Sequence, residues 1–231
     1  AIKNIADKYN LKVIYDAAHA FGVKDAGGSV LRHGDLSILS FHATKVFNTF
    51  EGGAIISPDA KTKAHIDNLK NFGFVDETTV IAPGINGKMS EINAAFGLLQ
   101  LTKVDDAIAS RQKIDALYRE ALSGIEGISC PEHIDGYVPN HSYFPIFVED
   151  SYPLTRDQLY QKLKDNNIFA RRYFYPLISD FVMYRELDSA NPKNLSVAKG
   201  KASQVLCLPV YPNLHQDEIM RVIKCIKETM R

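Results

Sequence analysis

Leu11-Lys12-Val13-Ile14-Tyr15, followed at once by Asp16-Ala17-Ala18-His19-Ala20, is the stretch on which the fold turns. The first five residues form a short apolar run, broken only by Lys12, and read as a buried β-strand. It stops at an acid and a run of small residues. In open α/β sheets, ligands bind beyond the carboxyl ends of the strands, so Asp16 falls where a ligand group would sit. Upstream, Ile2, Ile5, Ala6 and Tyr9 recur at helical spacing. Downstream, residues 35–41 and 53–57 read as two further strands.

Beyond them, Asp59 follows Pro58 and opens a helix with Ile66 and Leu69 on its apolar face. Residues 72–88, rich in Gly, Pro, Asn and Thr, read as an exposed loop. Ser90 is placed to cap a helix, and helical periodicity then runs to about residue 122 with a bend near Thr102, which predicts two consecutive helices. After Ser123-Gly124 the pattern changes. A strand is expected over 143–148, helices over 155–166 and 195–205, and a strand over 205–208. A last helix from Gln216 carries Ile219, Val222, Ile223 and Ile226 on one face. The order predicts an α/β fold: part of a mostly parallel sheet with flanking helices, and a small C-terminal α+β domain. Residues 1–105 are assigned to the first, and 106–231, with the linking helix, to the second.

The 231 residues are 45% apolar, and 27 basic side chains balance 27 acidic ones. Neutrality argues against a nucleic-acid or anionic-membrane partner, either of which favours a basic surplus. A small anionic ligand needs only a few local donors and stays open. No apolar run reaches transmembrane length. Cys130, Cys207 and Cys225 are scattered and odd in number, so they read as reduced thiols of a cytoplasmic protein with no disulfide framework and no metal site.

Taken singly, the polar residues near the strand ends have two readings each. Asp16 is either a ligand-binding acid or a turn aspartate, and His19 either shares its pocket or is structural. Lys45 follows the second strand, five residues after Ser40. A lysine that forms imines must be partly deprotonated, which crowded apolar surroundings promote, and Phe41, Val46, Phe47 and Phe50 lie nearby in sequence. Without a partner it is one surface lysine among many. Gly52-Gly53 permits a tight turn before the next strand.

Their combination is more specific. The segments 15–22 (Tyr-Asp-Ala-Ala-His-Ala-Phe-Gly), 40–45 (Ser-Phe-His-Ala-Thr-Lys), 50–54 (Phe-Glu-Gly-Gly-Ala) and 86–91 (Asn-Gly-Lys-Met-Ser-Glu) resemble the DegT/DnrJ/EryC1/StrS sugar aminotransferases of fold type I. Arg171-Arg172-Tyr173-Phe174-Tyr175-Pro176 is similar to the same family's C-terminal domain, so the resemblance spans nearly the whole chain in order.

The resemblance implies pyridoxal 5'-phosphate as cofactor and a role for each matching residue. Lys45 would carry the cofactor as a Schiff base and shuttle the proton. Asp16 would pair with the pyridine nitrogen, keeping the ring a better electron sink. His19, where many relatives have Gln, would face the ring's 3-oxygen, and Ser40 would bind the phosphate. Asn86, with Lys88 assisting, would reach the phosphate of a neighbouring subunit, giving a homodimer with a shared active site. Arg171, Tyr173 and Tyr175 are candidates for a diphosphate and sugar hydroxyls, against the alternative that they only cover the small domain; His141 and Tyr143 are weaker ones.

The implied activity is transamination of a nucleotide-linked keto-deoxysugar, with glutamate as amino donor. The wording around Lys45 is most similar to enzymes acting on dTDP-4-keto-6-deoxyglucose, which serve polysaccharide or natural-product pathways. Two alternatives are an aminotransferase for a 3-keto sugar and a truncated, non-catalytic remnant. The sugar dehydratases of the family replace the Schiff-base lysine, so Lys45 weighs against that chemistry.

In this family a long segment, with further strands and part of the cofactor pocket, usually precedes the strand that ends at Asp16. The chain is therefore expected to be the C-terminal part of such an enzyme, inactive alone and stable only beside the missing part or in an assembly, because half a sheet leaves apolar faces and strand edges bare. Intact-mass measurement of the expressed protein checks this: a soluble monomer with the mass of these 231 residues alone would count against it.

Overall fold

The computed structural model describes residues 1–230, without the side chain of Met230. In chain order the elements begin with α1 (Ile2–Tyr9), β1 (Ile14–Asp16), β2 (Lys24–Asp25), β3 (Gly28–Ser29), β4 (Leu36–Ser40) and β5 (Gly53–Ile56). Helices α2 (Ala60–Leu69), α3 (Glu91–Leu101) and α4 (Val104–Leu122) follow. Next come β6 (Ile128–Ser129), β7 (Tyr137–Val138), β8 (Phe144–Val148) and α5 (Arg156–Asp165). The chain closes with α6 (Ser196–Gln204), β9 (Val205–Leu208) and α7 (Gln216–Lys227). It divides into two compact units, residues 1–107 with 134–140, and residues 108–133 with 141–231.

In the first unit, β4 is the middle strand of a three-stranded sheet ordered β1-β4-β5. The β1–β4 pair is parallel, with Asp16 opposite Ile38, and β5 runs antiparallel to β4, with Gly53 opposite Ser40. A Cβ on Gly53 would come within 2.7 Å of the Leu39 carbonyl, so only glycine lets β5 start that close. Helix starts are set by side chains. Asp59 accepts from the Thr62 amide to cap α2, and Ser90 accepts from the Asn93 amide to cap α3. The chain turns between Leu101 and Val104, where the bend was expected.

Burial departs from the sequence reading here. Strand β1 is shorter than expected and not buried, with Ile14 58% exposed, and Ile38 and Ile55 are also exposed. On α1 only Ala6 is buried, while Ile2, Ile5 and Tyr9 face outward. The apolar periodicity is present, but among the described residues no second layer covers these side chains. A small sheet ordered β3-β2-β7 was not foreseen, since its two-residue strands carry no periodic signal.

The second unit has a closed core. Antiparallel β6-β8-β9 is packed by α4, α5 and α7 through Tyr118, Leu122, Phe144, Ile146, Leu159, Leu163, Leu206 and Ile226, each 2% exposed or less. Thr155 and Gln158 form a capping box that starts α5. Ile219, Val222, Ile223 and Ile226 are buried, as the spacing predicts. Cys207 and Cys225 are buried and Cys130 half-buried, all three free thiols; burial pushes the Cys207 thiol up to about 11. Among the described residues no helix is long and apolar enough to cross a membrane. Truncating Leu159 to Ala should cost about 2–5 kcal/mol and Ile146 to Val about 0.5–1.5 kcal/mol. Chemical denaturation followed by circular dichroism measures both, and two equal losses would mean that the core is looser than described.

Candidate active site

The carboxyl ends of β1 and β4 lie side by side because the two strands are parallel and in register. Asp16 closes β1, and the next amide, Ala17 N–H, donates to the Ile38 carbonyl at 2.9 Å. The Asp16 carboxylate accepts from the Ala18 amide at 3.1 Å through one oxygen, a turn that aims the chain back over the strand end. Ser40 closes β4, and its Oγ accepts from the His42 amide at 3.3 Å, while its O–H has no acceptor among the described residues.

The two loops that follow these strands meet. Lys45 Nζ lies 3.2 Å from His19 Nε2, the contact that joins two residues 26 positions apart. Burial and the charge of Lys45 hold the His19 imidazolium below its ordinary pKa, and Asp16 offsets part of that. With a lysine ammonium as donor, Nε2 is the acceptor and the ring proton sits on Nδ1. The same two loops carry an aromatic cluster: Phe21 and Phe47 are stacked at 4.5 Å, and Phe41 meets Phe47 edge-on at 4.8 Å. Phe50, expected beside Lys45, instead stacks on Phe96 of α3 at 4.3 Å.

On the same loop, the His42 Nδ1 accepts from the Thr44 amide at 3.2 Å, which directs its protonated Nε2 toward Glu51, 3.6 Å away. His42 had no role in the sequence reading. Asn86 is exposed on the 71–88 loop, where its backbone bridges Asn71, and no hydrogen bond ties it to Lys45 among the described residues. Lys88 donates to the Asn71 side chain at 2.7 Å and lies over the Phe72 ring.

In the second unit, Arg171, Tyr173 and Tyr175 line a concavity of about 450 Å³ together with Tyr160, Arg172 and Phe174. The backbone of Arg171 bridges Cys207, and its guanidinium is exposed with no ion-pair partner among the described residues. Tyr175 is covered by the Arg156 guanidinium at 4.5 Å, and Tyr143 meets Tyr173 edge-on at 5.5 Å. His141 is buried, with Nδ1 3.4 Å from Asp115.

An amine, a carboxylate, an imidazole and an uncommitted hydroxyl thus share one strand edge. The chain belongs to the DegT/DnrJ/EryC1/StrS aminotransferase family, whose model matches residues 1–227. It is 55% identical over 228 residues to a dTDP-4-amino-4,6-dideoxy-D-glucose transaminase of Shigella dysenteriae and 54% identical over 227 to its Escherichia coli namesake. These alignments cover 99% and 97% of this chain but 62% and 61% of the relatives, so the chain spans about three-fifths of their length. Among solved structures, DesV of S. venezuelae in complex with a ketimine intermediate superposes with a TM-score of 0.90 at 26% identity, over 100% of this chain and 61% of that one. DesI with its TDP-sugar product gives 0.86 at 32% identity, over 99% and 58%.

The His19–Lys45 contact has a titration signature. The His19 ring should titrate below its ordinary 6.5, because the folded site disfavours its charged form. The folded protein then binds fewer protons than the unfolded chain, so the stability linked to His19 is complete above 6.5 and falls as the pH drops through the lowered value. NMR titration checks this. Lys45→Met should move the midpoint up and Asp16→Asn should move it down; opposite shifts would mean that the contact is not populated.

Proposed function

We propose that the whole protein transfers an amino group to a nucleotide-linked keto-deoxysugar through pyridoxal 5'-phosphate, with dTDP-4-keto-6-deoxyglucose as acceptor and glutamate as donor. The observation that carries this reading is the convergence of Asp16, His19, Ser40 and Lys45 at one strand edge, in a chain 55% identical to a transaminase of that name. The cofactor, when bound, supplies the electron sink that makes an amino acid's Cα–H acidic.

The donor set fits that group. Lys45 is the amine that would hold it and then move the proton at the substrate carbon. Asp16 has a carboxylate oxygen with no hydrogen-bond donor among the described residues, suited to a protonated ring nitrogen. The free Ser40 O–H suits a phosphate oxygen, and His19 provides a hydrogen bond to the ring's 3-oxygen while sitting against Lys45. Placing a cation acceptor, an anion donor and a mobile proton carrier on a rigid strand edge orients the reacting atoms without further reorganisation.

Asn86, assisted by Lys88, is assigned to the cofactor phosphate of a second subunit, which makes the working enzyme a homodimer; its exposure on a loop supports this. For the substrate we assign Arg171 to the diphosphate, since its guanidinium has no ion-pair partner among the described residues, and Tyr173 and Tyr175 to sugar hydroxyls. Residues 1–105 are assigned to the cofactor domain and 106–231 to the small domain, with 134–140 packing in the first unit. Free thiols and neutral net charge support a cytoplasmic setting without nucleic-acid or membrane partners.

The test uses the full-length protein. Adding pyridoxal 5'-phosphate should produce a near-visible absorption band that glutamate shifts, and Lys45→Ala should abolish it. Asp16→Ala should lower turnover by about 10²-fold or more, the scale of losing one preorganised electrostatic contact. Absence of the band in the full-length protein would favour a non-catalytic remnant, and turnover of a 3-keto sugar in preference to the 4-keto one would reassign the substrate.

A further inference from the structure

Two asparagines that the functional reading does not use make the same contact on the two loops that meet at His19 and Lys45. Asn140 is buried, and its Nδ2 donates to the carbonyls of His19 and Phe21, each at 2.8 Å. Asn93 Nδ2 donates to the carbonyls of Thr49 and Glu51, each also at 2.8 Å. In both, one amide group spans carbonyls i and i+2 of a loop and spends both of its N–H donors there.

The loops need such a partner. Phe50 adopts a φ of 64°, a costly region for a bulky residue, and the Glu51 amide closes a three-residue turn onto Thr49 O at 2.8 Å. Strained turns of this kind persist only where the surroundings over-determine them. Thr49 Oγ1 bonds Glu51 O at 2.8 Å, and Asn93 closes the turn from the other side. Asn93 is itself oriented. Its Oδ1 accepts from the Ser90 hydroxyl at 2.6 Å, so the amide nitrogen must face the loop. The helix that carries it approaches through Gly97, where a Cβ would meet Thr49 Cγ2 at 2.8 Å. Asn140 reaches the His19 loop because β7, two residues before it, pairs with β2, three residues past Phe21.

We propose that Asn93 and Asn140 are positioning residues, which hold the Lys45 and His19 loops so that Nζ and Nε2 stay in contact. For catalysis this rests on the reading of Lys45 as the cofactor-bearing amine. Each asparagine acts through the backbone carbonyls of its loop. A loosened loop would let the amine and the imidazole part, and the site would lose their 3.2 Å spacing.

The experiment measures the His19 ring by NMR in the full-length protein, parallel with thermal unfolding and the cofactor absorption band. Lys45 and Asp16 are charged groups that act on His19, in opposite directions. In Asn140→Ala and in Asn93→Ala the His19 midpoint should move up toward its ordinary value, because the Lys45 charge retreats. Asn93→Ser and Asn140→Ser, which keep one donor, should give intermediate shifts and serve where the alanine variants fold poorly. The double variant should shift the midpoint by less than the sum of the two, since both act through one contact. A fall in melting temperature with an unmoved His19 midpoint would overturn the proposal and leave the asparagines as ordinary packing groups. Additive shifts would overturn the coupling through that contact. A parent protein without a Lys45-dependent band would sink the functional reading instead, while the His19 shifts would still decide the clamp.

Discussion

The parallel pairing of β1 with β4 is the constraint from which the candidate site follows. Parallel strands end at the same edge of a sheet, so residues that leave two separate strands are delivered to one place. Register does the rest. With Asp16 opposite Ile38, Ser40 lies just past the end of β1, and the two following loops start a strand's width apart. A shift of one residue would turn Asp16 and Ser40 to opposite faces and dissolve the cluster.

The chemistry of that edge depends on loops more than on strands. Strand ends supply the anchor points, Asp16 and Ser40, but His19 and Lys45 lie three and five residues beyond them. Such segments would wander without internal support. Here they are braced by the Phe21–Phe41–Phe47 cluster that joins them and by amide-to-carbonyl bonds from Asn93 and Asn140. Apolar stacking resists displacement in any direction, whereas paired hydrogen bonds fix orientation. Together they make a loop as definite as a strand.

The two units differ in how they bury apolar surface. The second has a closed core in which helical and strand periodicities agree with observed burial. The first carries the functional residues, yet Ile2, Ile14, Ile38 and Ile55 are exposed. Membership of the DegT/DnrJ/EryC1/StrS family accounts for the pattern of motifs.

The sequence by itself determined the order of the longer elements and the identity of the chemical groups. Apolar spacing placed α3, α4, α5 and α7, and Ser90 marked the start of α3, because these signals are local and depend on helical repeat and unpaired amides. Motif order picked out Asp16, His19, Ser40 and Lys45. Only the tertiary structure decided which of these touch. The 3.2 Å contact between Lys45 and His19, the turn of Phe50 toward Phe96, and the reach of Asn140 across 121 positions to the His19 carbonyl leave no periodic trace. The brief β2, β3 and β7 were invisible for the same reason: two-residue strands are held by partners distant in sequence, and pairing across such distances is set by the packing of the whole unit.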